Sequence, residues 1–288
     1  MSQIALPVLF ALLLWWFSTG IILYVVGLAS WTYRVSVTIS AALLVPALWV
    51  LGRGGQTTAG DAYAAFASVL AVWGFVEMTF LTGYVTGSRK TPCPPDCTGW
   101  RRVRFAIETI VYHELLLLFA GAVIFAVTYG GSRFAGALFA MLWLMRLSAK
   151  LNLFLGVPML NAELLPPPLR HLRSYFRRRA MNALFPVSVV ASAIATGLLI
   201  ERAMQAGASD YTVTAYILLA SLLALGLLEH LFMVLPIAIT GLWGPQIQAR
   251  ARENTEIAEP AAPHAVPVAD IAAQRARPQR IRSIGGIL

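Results

Sequence analysis

The run VTAYILLASLLALGLLEHLFMVLPIAITG, residues 213–241, contains no charged side chain before Glu229. At about 1.5 Å per residue, a helix of this length crosses about 30 Å of hydrocarbon with room to tilt. Its apolar residues are continuous rather than alternating, which excludes a strand of a transmembrane barrel. Six further runs have the same character: Ile4 to Leu28, Val35 to Leu51, Ala62 to Val85, Val103 to Tyr129, Phe134 to Val157 and Phe185 to Ile200. The sixth is the shortest, and Arg202 can snorkel so that the helix continues past Glu201. The first is too long for the core of a signal peptide and has no basic n-region, so it reads as a retained helix. The expected fold class is therefore all-α, a polytopic membrane helix bundle of about seven transmembrane helices.

Composition agrees: of 288 residues 58% are apolar and only 12% charged, about half the charged fraction of a soluble domain. The 22 Lys and Arg against 13 Asp and Glu reflect loops retained in the cytoplasm rather than nucleic-acid binding. Seventeen of the 22 fall in one alternate set of segments: Arg34, Arg89 to Arg104, Arg170 to Arg179, and the residues after Gln248. The opposite set holds Arg53, Arg133 and Arg202. This bias places the N-terminus outside and the C-terminus in the cytoplasm. Residues 1–247 form the transmembrane domain. The Ala-, Pro- and Arg-rich residues 248–288 lack a periodic apolar face and are expected to be a disordered cytoplasmic tail.

Ionisable side chains at bilayer depth are costly and normally meet a partner or a cavity. Counted from the cytoplasmic ends, Glu77 lies about 12 Å deep, His113 and Glu114 about 15 Å, Arg146 about 16 Å, and Glu229 and His230 about 17 Å. Lys150 stands one turn from Arg146 on the same helix face. This layer reads as a packing network, a ligand site, or both. Its three carboxylates outnumber its two fixed cations, so one must take a proton, a protonated histidine, a cation or a ligand. The residue types also suit a divalent metal, but the adjacent pairs His113-Glu114 and Glu229-His230 lack the Glu-x-x-His spacing of helical di-iron sites. Neutral imidazole could instead hold the magnesium of a chlorin or the iron of a haem. Trp15 and Trp16 are read as facing lipid.

Two loop motifs complete the set. Cys93 and Cys97 sit in RKTPCPPDCTGWRR, residues 89–102; a zinc site needs four ligands, so the pair alone is a weak metal candidate, and a rigid loop with reduced thiols is the simpler reading. In HLRSYFRRR, residues 171–179, Tyr175 and Phe176 lie among Arg170, Arg173, Arg177, Arg178 and Arg179. The stretch is expected along the headgroups, where aromatics bury and arginines meet anionic lipid or the acidic surface of a partner.

Five blocks carry a family resemblance: LWWFSTGIILY from Leu14, FLTGYVTGSRKTPCPPDCTGW from Phe80, MRLSAKLNLFLGVPMLN from Met145, SYFRRRAMNALFPVSV from Ser174 and LEHLFMVLP from Leu228. Together, in this order, they resemble the photosynthetic complex assembly protein 2 family, also called PuhE. The resemblance implies a multi-pass protein of the inner (intracytoplasmic) membrane of purple phototrophic bacteria, encoded with reaction-centre genes. It implies a role in assembling the reaction-centre or light-harvesting complex, or in modulating bacteriochlorophyll supply. The partners so implied are membrane lipid and reaction-centre or antenna subunits or other assembly factors. No catalytic residue comes with the resemblance, and the cofactor stays open, with bacteriochlorophyll or another tetrapyrrole compatible. The alternative is an intramembrane enzyme acting on a tetrapyrrole or isoprenoid through Glu77, His113, Glu114 and Glu229. A transporter ranks last, since paired broken helices are missing from the pattern.

Overall fold

The computed structural model describes residues 2–235 apart from 55, 56, 132, 161, 163 and 164. The expected tail, and the part of the last apolar run beyond residue 235, lie outside the described residues. All seven apolar runs are helical. The α-helices are α1 (Ser2–Val26), α2 (Tyr33–Ala42), α3 (Leu44–Gly52), α4 (Ala59–Leu81), α5 (Gly99–Val127), α6 (Phe134–Leu155), α7 (Leu184–Ala203) and α8 (Asp210–Leu231). Seven spans, counting α2 and α3 as one, are long and apolar enough to cross a membrane. Among the described residues there is no strand, only one isolated bridge between Val157 and Arg178.

The second run is two helices because of Pro46: its ring collides with the carbonyl four residues earlier, and α2 ends there, at Ala42. Other ends follow their caps. Thr58 and Asp61 form a reciprocal capping box at the start of α4, and the Ser209 hydroxyl accepts from Thr212 N at the start of α8. α7 does run past Glu201, to Ala203.

α4 and α8 form the middle of the bundle: 11 of the 23 residues of α4 and 10 of the 22 of α8 are buried, against 6 of 29 in α5. Phe66, Val69 and Val76 of α4 meet Leu218 and Leu222 of α8, with Leu117, Ile124, Leu138 and Phe139 closing the core. Outward, Leu6, Leu9, Leu13, Phe17, Ile21 and Tyr24 make an exposed apolar stripe along α1. A stripe of that length suits hydrocarbon rather than water.

Among the described residues, one end of the bundle carries most of the non-helical chain. The sequence run to Val85 stops early, at Leu81, because Gly83 turns at φ 80°. Residues 83–89 then run back along α5: Thr86 O accepts from His113 N at 2.9 Å, and Arg89 N donates to Glu108 O at 3.1 Å. Only glycine fits at position 87, where a Cβ would lie 2.1 Å from Glu108 O. The described residues between Gly156 and Asn182 complete this cap. Pro166 leads into a 3₁₀ turn, Pro167–Tyr175, whose Leu169 and Leu172 pack on Phe80.

Candidate functional site

The polar layer gathers just beneath this cap. Glu77 stands one turn before the end of α4, and its Oε2 accepts from Arg146 Nη2 of α6 at 2.8 Å. One turn further along α6, Lys150 Nζ donates to Glu114 Oε1 of α5 at 2.7 Å, and the Trp143 indole donates to the other oxygen at 3.0 Å. Phe80 lies between these pairs: it stacks on the His113 ring at 4.2 Å and has Lys150 Nζ 5.5 Å from its centroid.

His113 is fully buried, and neither ring nitrogen has a hydrogen-bond partner. Its Nε2 is 3.9 Å from Glu77 Oε1, too far for a hydrogen bond. Glu229 makes no ion pair among the described residues. It lies near Arg146, with Trp15 of α1 beside its carboxylate. Its side chain is exposed.

His230, the next residue, points away from this group, as neighbours on a helix must. Its Nδ1 faces Gly226 O at 2.8 Å. A carbonyl only accepts, so Nδ1 carries the proton and Nε2 takes the Ser148 hydroxyl at 2.9 Å. Ser148 in turn meets Ser188 at 2.9 Å, and Asn152 Nδ2 donates to both serines. Asn182 Nδ2 donates to Asn152 Oδ1 at 3.1 Å while its own Oδ1 accepts from Leu184 N and Phe185 N, capping α7. Asn152 is fully buried, so this chain of small polar groups pins α8, α6 and α7 together. Sequence reasoning passed over it; the i, i+4 spacing of Ser148 and Asn152 was the available signal.

The docking motif is placed differently from its expectation. Tyr175 is buried rather than laid against headgroups, because its hydroxyl accepts from Arg89 Nε at 2.7 Å and donates to Thr91 O at 3.1 Å. Burial pushes its phenol above the ordinary value. Phe176 is half-buried against the Phe80 cluster. Arg177 is half-buried, its backbone bonded to Leu153 O and Val157 N. Arg178 and Arg179 remain exposed, with Arg178 Nε on Pro158 O at 3.1 Å. The cap has one more anchor missed in the sequence: buried Arg102 donates to Phe154 O and Tyr175 O and stacks 4.0 Å over the Phe154 ring.

Cys93 and Cys97 are free and adjacent. Cys97 N closes a turn onto Pro94 O at 3.0 Å, and Cys93 N donates to Ser174 Oγ at 2.8 Å. Burial pushes the Cys93 thiol up. Among the described residues, no three His, Cys, Asp or Glu side chains gather as a metal cage.

Comparison with known proteins adds one relative of nearly equal length. It is 38% identical over 271 residues, 92% of this chain and 98% of its own, and is described as an uncharacterized 30.4 kDa protein in the puhA 5′ region of Rhodobacter capsulatus. No solved structure matches the chain significantly. Residues 1–254 match the family described as a protein of unknown function, DUF3623, and the chain belongs to that family.

Proposed function

We propose that this chain is an integral membrane factor for assembly of the bacterial photosynthetic complex, reaction centre or light-harvesting, or for modulating the supply of bacteriochlorophyll to it. The puhA neighbourhood of the relative supports the photosynthetic setting, as do the five blocks that resemble PuhE. The same setting makes the inner or intracytoplasmic membrane the site of action. Reaction-centre or antenna subunits, or other assembly factors, are then the partners.

The observation that favours a scaffold over an enzyme is the fate of the ionisable groups. Arg146 is spent on Glu77, Lys150 on Glu114 and His230 on Ser148. A tetrapyrrole ligated through histidine needs a ring nitrogen open to a macrocycle. His113 is 0% and His230 2% exposed, so neither fits that role. Exposed Arg178 and Arg179 offer the cap a basic face toward an acidic partner.

The enzyme reading draws on one feature, the 3.9 Å approach of His113 Nε2 to Glu77 Oε1, both without hydrogen-bond partners. Pigment extraction separates the two readings in three strains: a deletion, His113→Gln and Glu77→Gln. Losing a catalytic acid or base typically costs about 10²–10⁴-fold in rate. The expected result is fewer assembled complexes in the deletion with no single defined precursor. One discrete precursor common to all three strains, with stable protein in the variants, overturns the assembly reading.

A further inference from the structure

α6 and α7 are pinned to each other toward the cap and leave a gap at the opposite end. Near the cap Ser148 of α6 meets Ser188 of α7 at 2.9 Å, and one turn further out Ser192 Oγ donates to Met145 Sδ at 3.4 Å. Beyond that level stand Ala137 of α6 and Ala195 of α7, whose methyl groups do not fill the space between the helices. A groove of about 510 Å³ opens there, within the range of small-ligand sites. Buried Leu219 and Leu223 of α8 make its floor, and Met141 and Leu198 line its walls. Along α7 it runs from Ala195 to Arg202, about 10 Å.

One residue of the lining is charged. Arg202 stands in the last turn of α7, exposed, and makes no ion pair among the described residues. Carboxylates at this end serve elsewhere: Asp61 closes the capping box of α4, and Asp210 accepts from Gln3 at 3.0 Å. Glu201, the neighbour of Arg202, points about 100° round the helix and is not part of the lining. The groove is a short apolar slot with a cation where the span meets the headgroups.

We propose that this groove binds an anionic phospholipid of the leaflet opposite the cap, one acyl chain lying on Leu219 and Leu223 and the phosphate meeting Arg202. The two parts of the site select the two parts of the ligand. The slot takes a chain because its walls are apolar and it opens toward hydrocarbon. Arg202 takes the head because guanidinium binds phosphate through two parallel N–H···O bonds, and an arginine at a helix end reaches headgroup level. A partner helix, about 10–12 Å across with its side chains, lies over such a slot rather than in it. An apolar one also brings Arg202 no anion.

The test titrates the purified full chain in mild detergent with phosphatidylglycerol or with phosphatidylcholine of the same acyl chains, counting bound lipid by native mass spectrometry. Cap arginines can hold lipid in every variant, so the readout is the difference between variants. The parent is expected to retain one phosphatidylglycerol about tenfold more tightly than phosphatidylcholine. Arg202→Gln loses that preference, whereas Arg53→Gln, a cation removed from the same end but away from the groove, keeps it. Ala195→Leu fills the slot and loses the tightly held lipid without a lower thermal midpoint in lipid-free detergent. Equal retention of the two lipids by the parent, equal effects of Arg202→Gln and Arg53→Gln, or tight binding kept in a folded Ala195→Leu overturns the proposal. The arginine comparison decides it even where Ala195→Leu accumulates poorly.

Discussion

At the scale of single residues, the layer's pairs are unequal in what their loss would do. Arg146→Met leaves Glu77 without its cation, and breaking a sealed ion pair costs about 3–5 kcal/mol. With 38% of the Arg146 side chain open, the expected loss is below that range, visible as a lower thermal midpoint and less folded protein in membranes; an unchanged midpoint would show the pair idle. Arg102→Ala unpairs the Phe154 and Tyr175 carbonyls, each worth about 1–3 kcal/mol when left buried. Limited trypsin digestion should then cut after Arg170 or Arg173 faster than in the parent. His171 gives the cap a pH dependence of known sign. Burial, ahead of Lys90, holds its folded pKa below the ordinary value, so the unfolded chain binds more protons. Cap stability is full above about pH 6.5 and declines as pH falls from there toward the folded value. Trypsin sensitivity should rise between pH 7 and pH 5, and His171→Phe should flatten that rise. The buried charges were legible in the sequence because a charge in an apolar run has no neutral explanation. Ser148, Asn152, Ser188 and Asn182 were not, since hydroxyls and amides cost little in a span and become a network only when three helices meet.

At the scale of elements, the seven runs were legible from length and hydropathy, while their ends belong to backbone contacts that hydropathy does not report. Tyr84 and Val85 extend the third run by composition, yet the chain has already turned at Gly83 to lie along α5. Spacing of Gly83 and Gly87 within FLTGYVTGS was the only trace of that strap. Gly87→Ala should therefore be severe: its Cβ would stand 2.1 Å from Glu108 O, 2.4 Å from Thr109 C and 2.7 Å from Ile110 N, all backbone that cannot yield cheaply. Gly74→Ala in α4 meets nothing within 4 Å and should be neutral or stabilise by up to about 1 kcal/mol through helix propensity. Thermal midpoints of the two variants in one detergent check the contrast, and equal midpoints would mean the strap does not pack on α5. Tyr175 was misjudged for a related reason. An aromatic among arginines looks like an interfacial anchor, but two arginines from elsewhere in the chain, Arg89 and Arg102, fold inward onto it.

At the scale of the whole molecule, the two ends of the bundle differ in structure as well as charge. The end with the cap holds Arg34, Arg89, Lys90, Arg101, Arg102, Arg104 and the five arginines from Arg170 to Arg179, whereas the other end has Arg53, Arg133 and Arg202. Some of the cap's cations are structural: Arg102 is buried, and Arg89 is committed to Tyr175 and stacks 4.0 Å over Phe105. Topology is decided during insertion, before such contacts exist, so these residues still count toward retention on the cytoplasmic side. The prediction is that reporter fusions after Gly55 and Ser132 read as external, and fusions after Ser88, Ser174 and Gln248 as cytoplasmic. Neutralising only exposed cap residues, Arg101, Arg104, Arg178 and Arg179 to Gln, should leave this orientation in place, because Arg34, Arg89, Lys90, Arg102, Arg170, Arg173 and Arg177 still outnumber the three on the far side. A cytoplasmic signal at Gly55 with an external one at Ser88 would invert the molecule. It would also put the cap, with Cys93 and Cys97, in the compartment where adjacent thiols oxidise, so loss of free thiol in native membranes is an independent check on the same orientation.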